Sequence, residues 1–89
     1  MSETIAIKQV DHIGIRVADL DRAMAFYGVL GFEFEYQSDH DAVVIIKNNV
    51  GVEINLVFNA NDANDGKNIL MDVPSKYAGY THVALGVHI

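Results

Sequence analysis

Apolar and polar side chains alternate through His12-Ile13-Gly14-Ile15-Arg16-Val17, which predicts a strand from about Gln9 to Val17. The period then changes. Leu20, Ala23, Met24, Tyr27 and Leu30 recur at helical spacing, with Asp19 placed as N-cap, Asp21 in the first turn and Gly31 placed to end the helix. Arg22 stands where a capping box would want Glu, so that reinforcement is missing. Alternation returns in Phe32-Glu33-Phe34-Glu35-Tyr36, a half-buried strand. After the turn cluster Ser38-Asp39-His40-Asp41, the run Ala42 to Lys47 is apolar on both faces, as a central strand should be. Asn48-Asn49-Val50-Gly51 reads as a hairpin connection into a fourth strand, Val52 to Phe58.

A second pattern is longer in range. Val10-Asp11-His12-Ile13-Gly14-Ile15-Arg16-Val17 recurs as Tyr80-Thr81-His82-Val83-Ala84-Leu85-Gly86-Val87, with a histidine at the same place in both copies. Such self-similarity predicts a second structural unit beginning at about Tyr80. The organisation expected is a first unit at 1–59, a polar connection at 60–79 and the opening strand of an incomplete second unit at 80–89. Strand, helix, three strands, loop and strand make an α+β layout with one helix on one sheet face.

Strand period also sorts the polar residues by face. Ile13, Ile15 and Val17 share the helix side, while His12, Gly14 and Arg16 point away from it. Val52, Ile54, Leu56 and Phe58 form the core side of the fourth strand; Glu53, Asn55, Val57 and Asn59 lie opposite. In the last strand Val83, Leu85 and Val87 are expected inward, and His82, Ala84, Gly86 and His88 outward. Three strands thus present His12, Glu53 and His82 on the face away from the core. Polar residues there are ordinarily just solvated. Two histidines at equivalent repeat positions beside a carboxylate are also a donor set suited to a divalent metal of intermediate hardness. Arg16 adds a fixed positive charge suited to an anionic group.

Composition narrows the field. A chain of 89 residues, 51% hydrophobic, makes one small domain rather than a disordered tail. The absence of cysteine removes disulfides and thiolate metal sites. A net charge of −6 argues against a nucleic-acid partner. No signal-like start is present, and the longest apolar run, Ala42 to Ile46, is far short of a membrane span, so no membrane partner and a cytoplasmic location are expected. Asn61 to Gly66 invites a calcium-loop reading, but Ala63 falls on a ligand position of the best register and no helices flank it.

The residues His12 to Tyr27, then Leu30-Gly31-Phe32, Gly51 to Leu56 and Gly79 to Leu85 resemble the vicinal oxygen chelate superfamily, which includes glyoxalase I, bleomycin-resistance proteins, fosfomycin-resistance enzymes and extradiol dioxygenases. The resemblance implies a βαβββ module of the glyoxalase/bleomycin-resistance fold, followed by the first strand of a second module. It also implies metal ligands at His12, Glu53 and His82. This order is similar to glyoxalase I and related isomerases, whose metal chelates two adjacent substrate oxygens and acidifies the neighbouring carbon. The ion implied is divalent, nickel or zinc ahead of cobalt, manganese or iron. In such enzymes the base is a glutamate from the last strand of the second module, so the base is expected outside this chain and the fragment is expected to be inactive alone. Arg16 matches an arginine that contacts the glutathione carboxylate. Its asparagine partner falls where this chain has Val57, leaving Asn55 and Asn59 as the substrate-binding candidates on that face. A glyoxalase I-like isomerase or lyase acting on a small substrate with vicinal oxygens, a glutathione hemithioacetal among the candidates, is therefore the leading expectation. The alternatives are a metal-free drug-sequestering protein of the bleomycin-resistance kind and, last, an extradiol dioxygenase. Family members often build the site across a dimer, so a homodimer with exchange of the last strand is expected.

Overall fold

The computed structural model describes residues 3–61 and 66–88. The calcium-loop reading rejected above rests on Ala63, which lies outside the described residues. In chain order the elements are β1 (Ile13–Arg16), α1 (Leu20–Val29), β2 (Glu33–Ser38), β3 (Val43–Lys47) and β4 (Glu53–Val57). The four strands form one sheet in the order β1-β4-β3-β2, with β1 and β4 parallel and the other two pairings antiparallel. The expected α+β, βαβββ arrangement is the one observed.

Local chemistry accounts for most boundaries. Asp19 has extended backbone and its side chain accepts a hydrogen bond from the Arg22 amide at 3.0 Å, satisfying one of the orphan donors of the first turn. Gly31, at φ 90°, takes the left-handed conformation that ends α1 without a Cβ penalty. The β3–β4 turn lacks a favoured hairpin dipeptide, and Asn48 makes up for it. Its Oδ1 accepts from the amides of Val50 at 3.1 Å and Val52 at 2.8 Å, while Gly51 adopts φ 88°.

The core lies where the two central strands meet the helix. Val44 and Ile46 of β3, Ile54 and Leu56 of β4, Ala23 of α1 and Phe32 are buried, with Ile15, Val17, Leu20, Met24 and Tyr27 packed around them. Full burial of an aliphatic side chain contributes about 1.5–3 kcal/mol each, so these central strands carry much of the stability.

Two sequence expectations change in three dimensions. The strict alternation of Phe32, Phe34 and Tyr36 does not survive as a single face. A register shift between Phe34 and Tyr36 pairs Phe34 with Ile46 and Tyr36 with Ile45, whose side chains lie on opposite faces. Tyr36 therefore moves to the face away from the helix. The second change concerns the strand expected from Tyr80. Residues 80–88 carry no helix or strand, and Val83, Leu85 and Val87 are exposed rather than inward. A strand exists only as a member of a hydrogen-bonded ladder, and within this chain the segment joins none.

Candidate metal centre

The parallel β1–β4 register brings the site residues together. Ile13 pairs with Ile54 and Gly14 with Asn55, so His12, one residue before β1, stands beside Glu53 at the start of β4. His12 Nδ1 lies 3.9 Å from Glu53 Oε2. Ligand atoms of Asp11, His12 and Glu53 all fall within 4.8 Å of one another, one nitrogen and two carboxylate oxygens. A histidine and a carboxylate from neighbouring strands suit a divalent ion of intermediate hardness, and so few protein donors leave positions open for water or substrate. The residues present therefore fit the metal that the resemblance implies.

Asp11 was not among the sequence candidates. Period-two alternation would place it on the face opposite His12, but β1 begins only at Ile13, so strand alternation does not govern its side chain. Its Oδ1 is 2.7 Å from His12 Nδ1. A carboxylate accepting from Nδ1 holds a ring proton there and fixes the orientation of the imidazole. The same hydrogen bond raises the His12 pKa above the ordinary 6.5, helped by the negative charges of Asp11 and Glu53 and opposed by desolvation.

Glu53 is also held from the other side. It is the cross-strand partner of Lys47, whose Nζ is 3.7 Å from Glu53 Oε1 and 3.9 Å from Glu35 Oε1. The Glu53 side chain is 19% exposed, far less than His12 at 46%. Lys47 was legible in the sequence only as the polar end of an apolar strand; its role beside Glu53 follows from the register.

The remaining candidates are distributed as follows. Arg16 lies on the same face as His12, is exposed, and has no acid within ion-pair distance among the described residues. Asn55 pairs across with Gly14 and Ile45, and Asn59 is exposed beyond the end of β4. His82 is exposed, with Nδ1 2.8 Å from its neighbour Thr81 Oγ1, and it is not one of the three residues clustered at His12. Within one chain, then, the structure joins His12 to Glu53 and leaves His82 apart.

A raised histidine pKa has opposite consequences for folding and for metal binding. The stabilisation that His12 gives the metal-free fold is fully present below pH 6.5 and is lost as pH rises through the higher folded-state pKa. A proton on the ring excludes an ion from it, so zinc affinity is expected to fall by about tenfold per unit as pH drops below that pKa. Zinc titrations across this range, compared with His12→Gln, check the slope. An identical pH dependence in the two proteins would show that His12 is not the titrating ligand.

A βαβββ module with a mixed sheet carries a histidine–carboxylate cluster at one end of its open face. The sequence places it more closely: the family model of the Glyoxalase/Bleomycin resistance protein/Dioxygenase superfamily matches residues 9–88, and the chain belongs to that superfamily. No curated protein and no solved structure gives a significant match. No helix among the described residues is long and apolar enough to cross a membrane.

Proposed function

We propose that this chain serves a glyoxalase I-like, metal-dependent isomerase or lyase acting on a small substrate with vicinal oxygens. The observation that carries the reading is the convergence of Asp11, His12 and Glu53 to within 4.8 Å at the joint between two parallel strands. His12 and Glu53 would hold a divalent ion, nickel or zinc as the family resemblance implies. When bound, such an ion polarises two adjacent oxygens and acidifies the carbon–hydrogen bond beside them. This chain's own residues supply the rest. Asp11 orients the imidazole, Lys47 restrains Glu53, and Arg16, with no ion pair among the described residues, offers a positive charge for an anionic end of the substrate.

His82 enters this reading through a second copy of the chain. Segment 80–88 is unpaired, its apolar side chains are exposed, and β1 is an open edge of the sheet. An extended segment with alternating apolar residues is the natural partner for such an edge. Exchange of this segment in a homodimer would bring His82 of one copy toward His12 and Glu53 of the other. The reading keeps the cytoplasmic setting expected from the sequence.

Light scattering and metal analysis on one chromatographic peak test the proposal, with conversion of a hemithioacetal as a further readout of the isomerase assignment. A dimer carrying one metal ion per chain is expected. A strictly monomeric species counts against strand exchange, and a metal-free dimer that binds a planar cationic drug without turnover turns the assignment to the sequestering alternative. Consumption of oxygen with a catechol substrate turns it to the dioxygenase.

A further inference from the structure

The His12–Glu53 pair is one end of a longer row of charge. Crossing the sheet from β2 to β1, the side chains in contact are Glu35, Lys47, Glu53 and His12, at successive spacings of 3.9, 3.7 and 3.9 Å. Lys47 Nζ therefore stands between two carboxylates at nearly equal range. Both distances exceed hydrogen-bond length, so the ammonium is committed to neither. Its side chain is 42% exposed at the last position of β3, which leaves it room to lean either way.

The second carboxylate stands at an irregularity of the backbone. Glu35 falls at the register shift between Phe34 and Tyr36, so it has no cross-strand partner of its own. Glu33 faces Lys47 directly in the ladder, yet among the described residues it is Glu35 that makes the ion pair from β2. The neighbouring row gives Lys47 no further carboxylate. It holds Gly14, Asn55, Ile45 and Tyr36, and Asn55 Oδ1 there is buried without a hydrogen-bond partner.

Lys47 and an ion at His12 and Glu53 would compete. Both are cations drawn to one carboxylate, and each repels the other. With a single acid beside it, Lys47 would give up its ion pair outright when the ion entered. With Glu35 on its far side, it exchanges one pair for another. Resting on the metal reading above, we infer that Glu35 is a positioning residue: it draws Lys47 off Glu53 and so releases that carboxylate to the ion. Glu35 touches neither ion nor substrate and acts only through Lys47.

A double-mutant cycle on the full chain tests this, read as zinc affinity by competition with a chelating dye. Exposed ion pairs are weak, so Glu35→Gln is expected to lower the affinity only about two- to fivefold, and Lys47→Met to raise it by a similar factor. Glu35→Gln added to Lys47→Met is expected to change nothing further. A long-range charge effect of Glu35 would persist in that background and would overturn the inference, as would a fall in affinity for Lys47→Met. Carbon-13 NMR gives a direct readout. The Glu35 carboxylate signal is expected to shift on zinc addition in wild type and to stay in place in Lys47→Met; an unmoved signal in wild type, or a shift retained in the variant, counts against the inference. Both substitutions fall on well-exposed side chains, and urea midpoints near that of wild type check that the variants are folded. If wild type binds no zinc, the metal reading and this inference fall together, whereas zinc binding with independent effects of the two substitutions overturns this inference alone.

Discussion

Zinc affinity is expected to fall by about a hundredfold or more in Glu53→Ala. Loss of a residue that merely orients a ligand commonly costs 10–100-fold, and Glu53 offers a donor directly. Its carboxylate is the least exposed member of the cluster and stands between His12 at 3.9 Å and Lys47 at 3.7 Å. Removing it leaves an imidazole and Asp11 on a single short stretch of chain, with no donor from the neighbouring strand. The fold should tolerate the change, because Lys47 keeps Glu35 within 3.9 Å and Glu53 contributes no apolar burial to the core. Competition titrations against a chelating dye read the affinity, and a urea unfolding curve on the same protein checks that the variant is folded. Zinc binding that survives Glu53→Ala unchanged would sink the proposed site.

The other large effect is on stability. Leu56→Ala should cost about 2–5 kcal/mol, the range for truncating a fully buried leucine where the surroundings cannot collapse into the cavity. Leu56 is 0% exposed and is shared between the β1 and β3 pairings of the central strand β4. Small domains carry a net stability of only about 5–15 kcal/mol, so the loss should move the urea midpoint far and populate unfolded chain at 37 °C. Val29→Ala is the control. That side chain is 87% exposed at the end of α1, and its loss should change stability by less than about 0.5 kcal/mol. Similar midpoints for the two variants would mean that the core is not centred on β3 and β4.

Much of the fold could be read from local chemistry. The Asp19 cap, the Gly31 stop, the apolar β3 and the core face of β4 each follow from interactions within a few residues, and the structure shows all four. The superfamily was legible too, because its motif lies in contiguous runs and the family match covers them. Face assignment placed His12, Arg16, Glu53 and Asn55 on the open side without any coordinates, since a strand's period is fixed by its backbone. Strand period does not carry as far as Tyr36, where an inserted residue reverses the face, nor to Asp11, which precedes β1.

The histidine repeat shows the boundary most clearly. By itself the sequence determined that His12 and His82 occupy like positions in like segments, and that the segment before α1 and the run from Val52 to Phe58 read as strands. Whether two such segments meet is a different question. Only the tertiary structure decided that β1 lies parallel to β4, so that His12 faces Glu53 across 3.9 Å, while residues 80–88 join no ladder in the same chain. The reason is physical. Period, caps and turns arise from interactions between near neighbours, whereas strand pairing is settled by competition among all available edges. The unsatisfied Asn55 Oδ1 is a product of that second kind of choice, because its neighbours Gly14 and Ile45 come from distant parts of the chain.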